Sequence, residues 1–543
     1  MSEHYDVVQI GFGPVGQTFA ALVGQSGHRV GAFERSPECY PLPRAGHVDH
    51  EIMRIFQSIS AADHVEKHAI PIPDYDWFNG AGELLLHLDW NAPAPSGWKS
   101  DYLIYQPYVE DALMQASARF DTVSVHHGWE AVDLIQHTDH VEVSLREGHR
   151  QRGMWEPTGR TRTVTADYVI GADGANSFVR RQCELNWVDF GFSEDWLVLD
   201  VRPNDPDSEI GLPEAAQICD PARPRSLFRW LGREHCRGEF MLLPGESAEQ
   251  MVEPSVAWGL LEPYGLTEDN AQIVRRTVYT FRSLLADSFR RNRALLIGDA
   301  AHLMPPFMGQ GMCSGLRDAK NLAWKLDLVL TGTAAPDLLD TYTTERRPHA
   351  HAVIDASMEL GRIICIADPQ AVAERDAAFM SGQVPPPPPF PGLTDGILHR
   401  SATGSVEGPV GQLSVQGRVL YQNTVARLDD LLGSGWTLLS RKADPQQHLN
   451  GQQRDFLTSI SVQTLHVTRA TMPDGTAAVD LDATYARWFA DLNAESVLVR
   501  PDYYIFGVAE TLKQLPDLVD SLSSQLPIRH ETRLLECVEG RKT

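Results

Sequence analysis

Tyr5-Asp6-Val7-Val8-Gln9-Ile10-Gly11-Phe12-Gly13-Pro14-Val15-Gly16 decides how the whole chain is read. The apolar run Val7-Val8 to Ile10 predicts a buried strand, and it stops at the first of three glycines spaced GxGxxG. Gly11 permits a tight turn, Gly13 lets a pyrophosphate approach the backbone, and Gly16 lets helix and strand pack closely. A helix is expected from Gln17, with Phe19, Ala20 and Val23 turned inward. Its free N–H groups would face the phosphates. A second strand, Arg29 to Phe33, ends at Glu34, where a carboxylate can bind ribose hydroxyls. Strand, turn, helix and strand together predict a βαβ unit and a parallel sheet.

Two more loops repeat the strand-to-Gly-Asp pattern. Asp167 to Ile170 runs into Gly171-Ala172-Asp173-Gly174, and Leu295-Leu296-Ile297 runs into Gly298-Asp299. Each aspartate stands where a side chain reaches a ligand at the sheet's C-terminal edge, although each could also be a helix cap. Pro305-Pro306-Phe307-Met308-Gly309-Gln310-Gly311-Met312 then leads into a helix expected from about Cys313 to Lys325, again offering backbone N–H groups. Three such loops suggest one extended dinucleotide held along its length.

Around this frame, 543 residues suggest about three domains. Short alternating segments such as Trp196 to Val201 and Glu239 to Leu243 predict a mostly antiparallel sheet. The expected division is a nucleotide-binding domain over 1–75, 100–184 and 286–380, and a substrate domain over 76–99 and 185–285. A Pro-rich linker over 381–400, containing Pro385 to Pro389, then leads to a small α/β domain over 401–543. A net charge of −25 without a basic stripe argues against nucleic acid. No apolar run is long enough for a membrane span and no signal segment opens the chain, so a cytoplasmic location is expected. The seven scattered cysteines form no CxxC pair, and no Cys/His set has zinc-ligand spacing, so no metal is expected.

The three loops, in this order, resemble the class A flavoprotein aromatic hydroxylases, the para-hydroxybenzoate hydroxylase superfamily, over about residues 5 to 360. Pro43-Arg44-Ala45, Trp196 to Val201 and Pro305 to Asp318 are most similar to its subgroup of 3-(3-hydroxyphenyl)propionate and phenol hydroxylases. The resemblance implies a Rossmann-like FAD-binding domain, an inserted mostly antiparallel substrate domain and a thioredoxin-like C-terminal domain. It also implies FAD, NADH or NADPH as co-substrate, O2, and a small aromatic substrate, with a homodimer open to it. Glu34 and Arg35 would hold the adenosine ribose, Arg44 an FAD phosphate and Asp299 the ribityl chain. Asp173 would serve both FAD and NAD(P)H, Gln106 would lie beside the flavin, and the stretch with Pro305, Pro306, Gly309, Gly311 and Met312 would lie against the isoalloxazine.

The implied reaction is hydroxylation of a phenolic ring through a flavin C4a-hydroperoxide. The same oxidant could serve Baeyer–Villiger oxidation or epoxidation of a polycyclic, polyketide-like substrate. A non-catalytic flavin-binding protein is the lesser alternative. For the proton of the phenol the candidates are His47, His235 and His302. For a substrate carboxylate they are Arg225 and Arg229, which share a strand face with Arg223 if that stretch is extended, or else form a solvated basic edge.

Overall fold

A computed structural model describes residues 3–38, 42–72, 74–90, 94–151, 154–384, 389–470 and 476–528. Cys39, Cys537 and Pro385 to Pro388 lie outside the described residues.

The opening motif folds as the apolar pattern requires. Glu3–Ile10 is a strand, Pro14–Gln25 a helix and Val30–Glu34 the next strand. The helix begins three residues earlier than Gln17, because Pro14 suits the first turn, where its missing N–H costs nothing. Glu3–Ile10 pairs in parallel with Val30–Glu34 on one side and with Met154–Gly171 on the other. Val123–His127 and Ala294–Leu296 extend this parallel array at its two sides. Val7, Val8, Val169, Ile170, Leu295 and Leu296 are fully buried, as strands covered on both faces must be.

A second sheet of eight strands holds Asp74–Asn79 and Leu84–Asp89 together with Trp187–Pro203, Ala215–Cys219, Arg225–Leu231, His235–Met241, Ala271–Ala286 and His302–Leu303. It is antiparallel except where Ala215–Cys219 runs parallel to Asp74–Asn79. One face packs on the helices of 248–261 through Leu197, Leu199, Leu227 and Phe240. The opposite face carries Trp77 and Trp196 and meets Phe307 and Ile364 of the first unit.

The C-terminal α/β unit has seven strands, with Thr437–Ser440 parallel to Gln463–Thr468 and antiparallel to Ser496–Val499. Its helix Leu515–Gln525 buries Leu515, Leu518, Val519 and Leu522 at the expected spacing. Part of its core is continuous with that of the first unit, through Trp436, Leu438, Leu498 and Phe506. Residues 389–400 are packed rather than free, with Leu393, Ile397 and Leu398 buried.

Candidate active site

The parallel sheet brings the three loops to one edge. The Gly11 N–H donates to the Phe33 carbonyl, that of Ala172 to Ile10, and that of Ile297 to Gly171, so the strand ends are stitched in order. Gly11 has φ of +94°, and a Cβ there would lie 2.3 Å from the Ala172 carbonyl oxygen. Only glycine admits that approach. Gly13 differs, because a Cβ on it would meet nothing within 4 Å. Above it the helix Pro14–Gln25 has no side-chain cap and no acidic residue in its first turn, which leaves its N–H groups open to an anion.

Glu34 and Gln106 shape this end of the site from within the protein. Both Glu34 oxygens accept backbone N–H groups, from Phe12 at 2.9 Å and Ser36 at 2.8 Å. Arg35 is exposed and reaches only Glu130, at 3.8 Å. The Gln106 carbonyl oxygen accepts from the N–H groups of Arg44 and Ala45, at 3.0 and 2.7 Å, while its amide donates to Glu110. Gln106 therefore fixes the backbone that carries Arg44, whose side chain is exposed. One Asp173 oxygen caps the helix at Phe178 and Val179, and the other is buried without a partner. Burial raises the pKa of Asp173.

Asp299 behaves differently. Its carboxylate has no hydrogen bond or ion pair among the described residues and is open to solvent, yet protein surrounds it closely enough that burial raises its pKa. The turn that presents it is anchored below. Asp318 accepts from the Gly298 N–H at 3.1 Å, from His302 Nε2 at 2.6 Å and from Arg346 Nε at 2.9 Å. Burial alone would raise the pKa of Asp318, but the charges of His302 and Arg346 hold it low. His302 is fully buried in this anchor, so it orients the Asp299 turn.

The loop after it packs against the Trp196 face of the second sheet. Pro305 is buried, and its carbonyl accepts from Ser357 Oγ at 2.8 Å. Pro306–Met308 forms one 3-10 turn, and Phe307 meets Trp196, Phe281 and Phe192 edge-on. Gly309, at φ +65°, heads the helix Gln310–Leu330 without a side-chain cap. That helix starts before Cys313 because the left-handed turn at Gly309 lets it begin there, with Gly311 and Met312 inside its first turn and partly exposed.

His47 lies against this turn. Its Nδ1 is 3.3 Å from the Gly309 carbonyl oxygen and its Nε2 is 2.7 Å from Asp101. Burial would lower its pKa, but the Asp101 hydrogen bond outweighs that and the value is held well above the ordinary imidazole range. A neutral ring donates from one nitrogen only, and both nitrogens here face acceptors. His235 stacks on Tyr105 at 4.0 Å, and burial, with Arg202, pushes its pKa down.

Strand pairing decides which arginines share the Trp196 face of the second sheet. Arg237 stands opposite Phe228 and Asp200, and Asp200 stands opposite Arg275. These residues share the Trp196 face, because cross-strand partners point the same way. Arg225, Leu227 and Arg229 alternate onto the other face. Arg225 there binds Asp220 and Tyr264, and Arg229 binds the Ser208 carbonyl. On the Trp196 face Arg237 Nε reaches Asp200 at 2.7 Å, Arg275 Nε reaches it at 2.8 Å, and Arg237 Nη1 lies 3.5 Å from Glu239. Arg237 also donates to the Arg44 carbonyl at 3.0 Å, which joins this face to the His47 segment. Tyr75 stacks between Trp90 and Phe228, and Trp90 lies 6.5 Å from the His47 ring. Glu239, Asp200 and Asp101 carry no motif in sequence. Only the pairing register could have found them.

Residues 4–357 match the family model described as FAD binding domain, and residues 411–525 match the HcaD C-terminal domain. A probable NADH-specific resorcinol 4-hydroxylase of Rhodococcus jostii (strain RHA1) is 36% identical over 527 residues, 95% of this chain and 94% of that protein. A 3-(3-hydroxy-phenyl)propionate/3-hydroxycinnamic acid hydroxylase of Mycolicibacterium smegmatis (strain ATCC 700084 / mc(2)155) is 34% identical, covering 96% of this chain and 94% of its own. Two solved structures share the fold. The flavin-dependent monooxygenase PieE, in complex with FAD and substrate, has a TM-score of 0.78 at 22% identity, over 96% of this chain and 99% of its own. Aklavinone-11 hydroxylase, with FAD and aklavinone, has a TM-score of 0.76 at 21% identity, over the same shares. Among the described residues, no helix is long and apolar enough to cross a membrane.

Proposed function

The chain belongs to the flavoprotein aromatic hydroxylases, FAD-dependent monooxygenases that use NAD(P)H and O2 on phenolic rings, and we propose that its own substrate is an uncharged phenol. The observation that carries this choice is the charge balance of the Trp196 face. Both arginines there already share Asp200 and lie beside Glu239, and His47 is paired with Asp101. The two arginines and two carboxylates of that face already balance, so a substrate carboxylate would add an uncompensated charge there, whereas Arg237 Nη2, which has no partner among the described residues, can donate to a phenolic oxygen. The resorcinol 4-hydroxylase among the relatives fits such a substrate.

The residues present suit FAD. We assign its pyrophosphate to the Gly11, Gly13 and Gly16 turn with Arg44, its adenosine ribose to Glu34 and Arg35, and its ribityl chain to Asp299. Asp173 and Gln106 keep adjoining loops in place, and Gly298 gives Asp299 its turn. The N–H groups at Gly311 and Met312, with Pro305, Pro306 and Gly309 before them, face the flavin ring. Bound there, FAD supplies hydride acceptance and O2 activation, which side chains cannot. The chain's part is to orient the ring and exclude water. Tyr75, Trp90, Phe228 and Phe281 offer flat apolar walls for both tasks.

In the same reading the enzyme is cytoplasmic, where reduced nicotinamide is made, and the five described cysteines are free. A homodimer is supported only by the edge strand Thr424–Arg427, where Val425 is exposed. Arg225 and Arg229 serve the far face and do not touch substrate.

Neutral dihydroxybenzenes and phenolic acids, offered in parallel with NADH and NADPH, test the assignment. Resorcinol-type phenols should stimulate nicotinamide oxidation and yield a hydroxylated product with little hydrogen peroxide. Preference for phenolic acids by tenfold or more in kcat/KM would overturn the uncharged substrate.

A further inference from the structure

A phenol on the Trp196 face needs an acceptor for its proton close to Trp196. His47 has both nitrogens engaged, His302 is sealed beneath the Asp299 turn, and His235 stands on the same strand but further from Trp196 than Glu239, beyond Arg237 and beside Tyr105. Asp101 and Asp200 are occupied by His47 and by two arginines. Glu239 is left. It is on the Trp196 face, cross-strand from Ser226 and Val198, and its side chain is 13% exposed. Among the described residues its polar contact is a 3.5 Å approach of Oε1 to Arg237, so Oε2 has lone pairs to spare.

We propose that Glu239 is the catalytic acceptor of the phenolic proton, an assignment that rests on the aromatic hydroxylation proposed above. As a ring electron pair forms the new C–O bond, the O–O bond breaks and its other oxygen leaves to become water, while the phenolic O–H bond breaks. Its electrons pass into the ring, and the proton ends on a Glu239 oxygen, which becomes a carboxylic acid. The oxygen comes from O2 and the electrons that reduce it from the nicotinamide. Burial raises the pKa of Glu239 and Asp200 adds to it, while Arg237 and Arg275 oppose. Tyr75, the other titratable group in reach, is itself held protonated by burial. A carboxylate whose pKa is raised is a better proton acceptor.

Glu239→Gln in the FAD-loaded enzyme tests this against resorcinol and ring-fluorinated resorcinols of increasing acidity. With resorcinol, product formation should fall by about 100-fold or more, with hydrogen peroxide replacing product. The deficit should shrink as the phenol becomes more acidic or the pH passes its pKa. The wild-type rate should drop as pH falls through the Glu239 pKa, and the variant should lack that limb. An unchanged product-to-nicotinamide ratio and acid limb, or a deficit equal for every phenol, overturns the assignment. If Glu239→Gln fails to retain FAD, Glu239→Asp decides. An acid limb that shifts with the altered carboxylate supports the proposal, and one that stays put overturns it. If no phenol stimulates the wild type, the hydroxylation reading itself falls; an active wild type with an indifferent variant sinks Glu239 alone.

Discussion

Asp299 shows how one unpaired group can anticipate a ligand. A carboxylate ringed by protein, given no protein donor and open to solvent, is left to accept hydrogen bonds from a ligand that takes the place of water. Asp299→Ala should therefore weaken FAD binding by roughly 10- to 100-fold, from a charged hydrogen bond of about 1.5–3 kcal/mol. Titration of the deflavinated protein with FAD, followed by flavin fluorescence, measures this; an unaltered Kd would mean the ribityl chain lies elsewhere. Asp299 was legible in sequence because an apolar strand ending in Gly-Asp puts its side chain at the sheet edge. Glu239 was not. Which face a strand residue takes depends on its register with the next strand, and the bulge between Phe228 and Leu231 resets that parity within one hairpin. Arg225 and Arg229 were grouped correctly on one face, but sequence spacing could not say which face carries Trp196.

At the scale of elements, the helix Gln310–Leu330 links the loop beside the flavin to the C-terminal unit. Arg317, one and a half turns or more from its start, donates to Asp49 and Glu51 at 2.6 Å each and to Gln310 at 2.8 Å. Gln310 donates back to Asp49, and Tyr504 of the C-terminal unit donates to Glu51 at 3.0 Å. Every side chain in this set is buried, and Asp49 is held low against burial by Arg317. Arg317→Met would strand two buried carboxylates, at about 3–5 kcal/mol of stability. Tyr504→Phe removes one hydrogen bond, about 1–3 kcal/mol with the unmet acceptor counted. Denaturant midpoints check both. Tyr504→Phe should also raise the hydrogen peroxide fraction, because it loosens the Gly309 turn; unchanged coupling at lowered stability would make the network purely structural. The elements themselves were readable, since period and glycine placement fix strand, turn and helix locally. Arg317, Asp49, Glu51 and Tyr504 are far apart in sequence, and no local pattern marks their meeting.

Over the whole molecule, the C-terminal unit is joined to the first by a second buried charge cluster. Glu345 of the long helix Asp340–Ile364 accepts from Arg500 at 2.5 and 3.1 Å, Lys325 at 2.6 Å and Asn321 at 2.8 Å. Asp502 also binds Arg500 and Asn321. All are nearly or wholly buried, and Trp324 and Trp436 pack edge-on beside them at 5.5 Å. Burial would raise the pKa of Glu345, but the charges of Arg500 and Lys325 outweigh it and bring it down to about 2. Because the folded value lies below the unfolded one of about 4.3, ionised Glu345 stabilises the joined state above that pH. This contribution drains away as the pH falls from about 4.3 towards about 2. Stability measured by denaturant at stepped pH should therefore slope downward through that window, with the fluorescence of Trp324 and Trp436 reporting the interface. Glu345→Gln should begin less stable at neutral pH and show a flatter acid slope, because the group that titrates is gone. Equal slopes in both proteins would place the acid sensitivity in other carboxylates and leave Glu345 as a packing residue only.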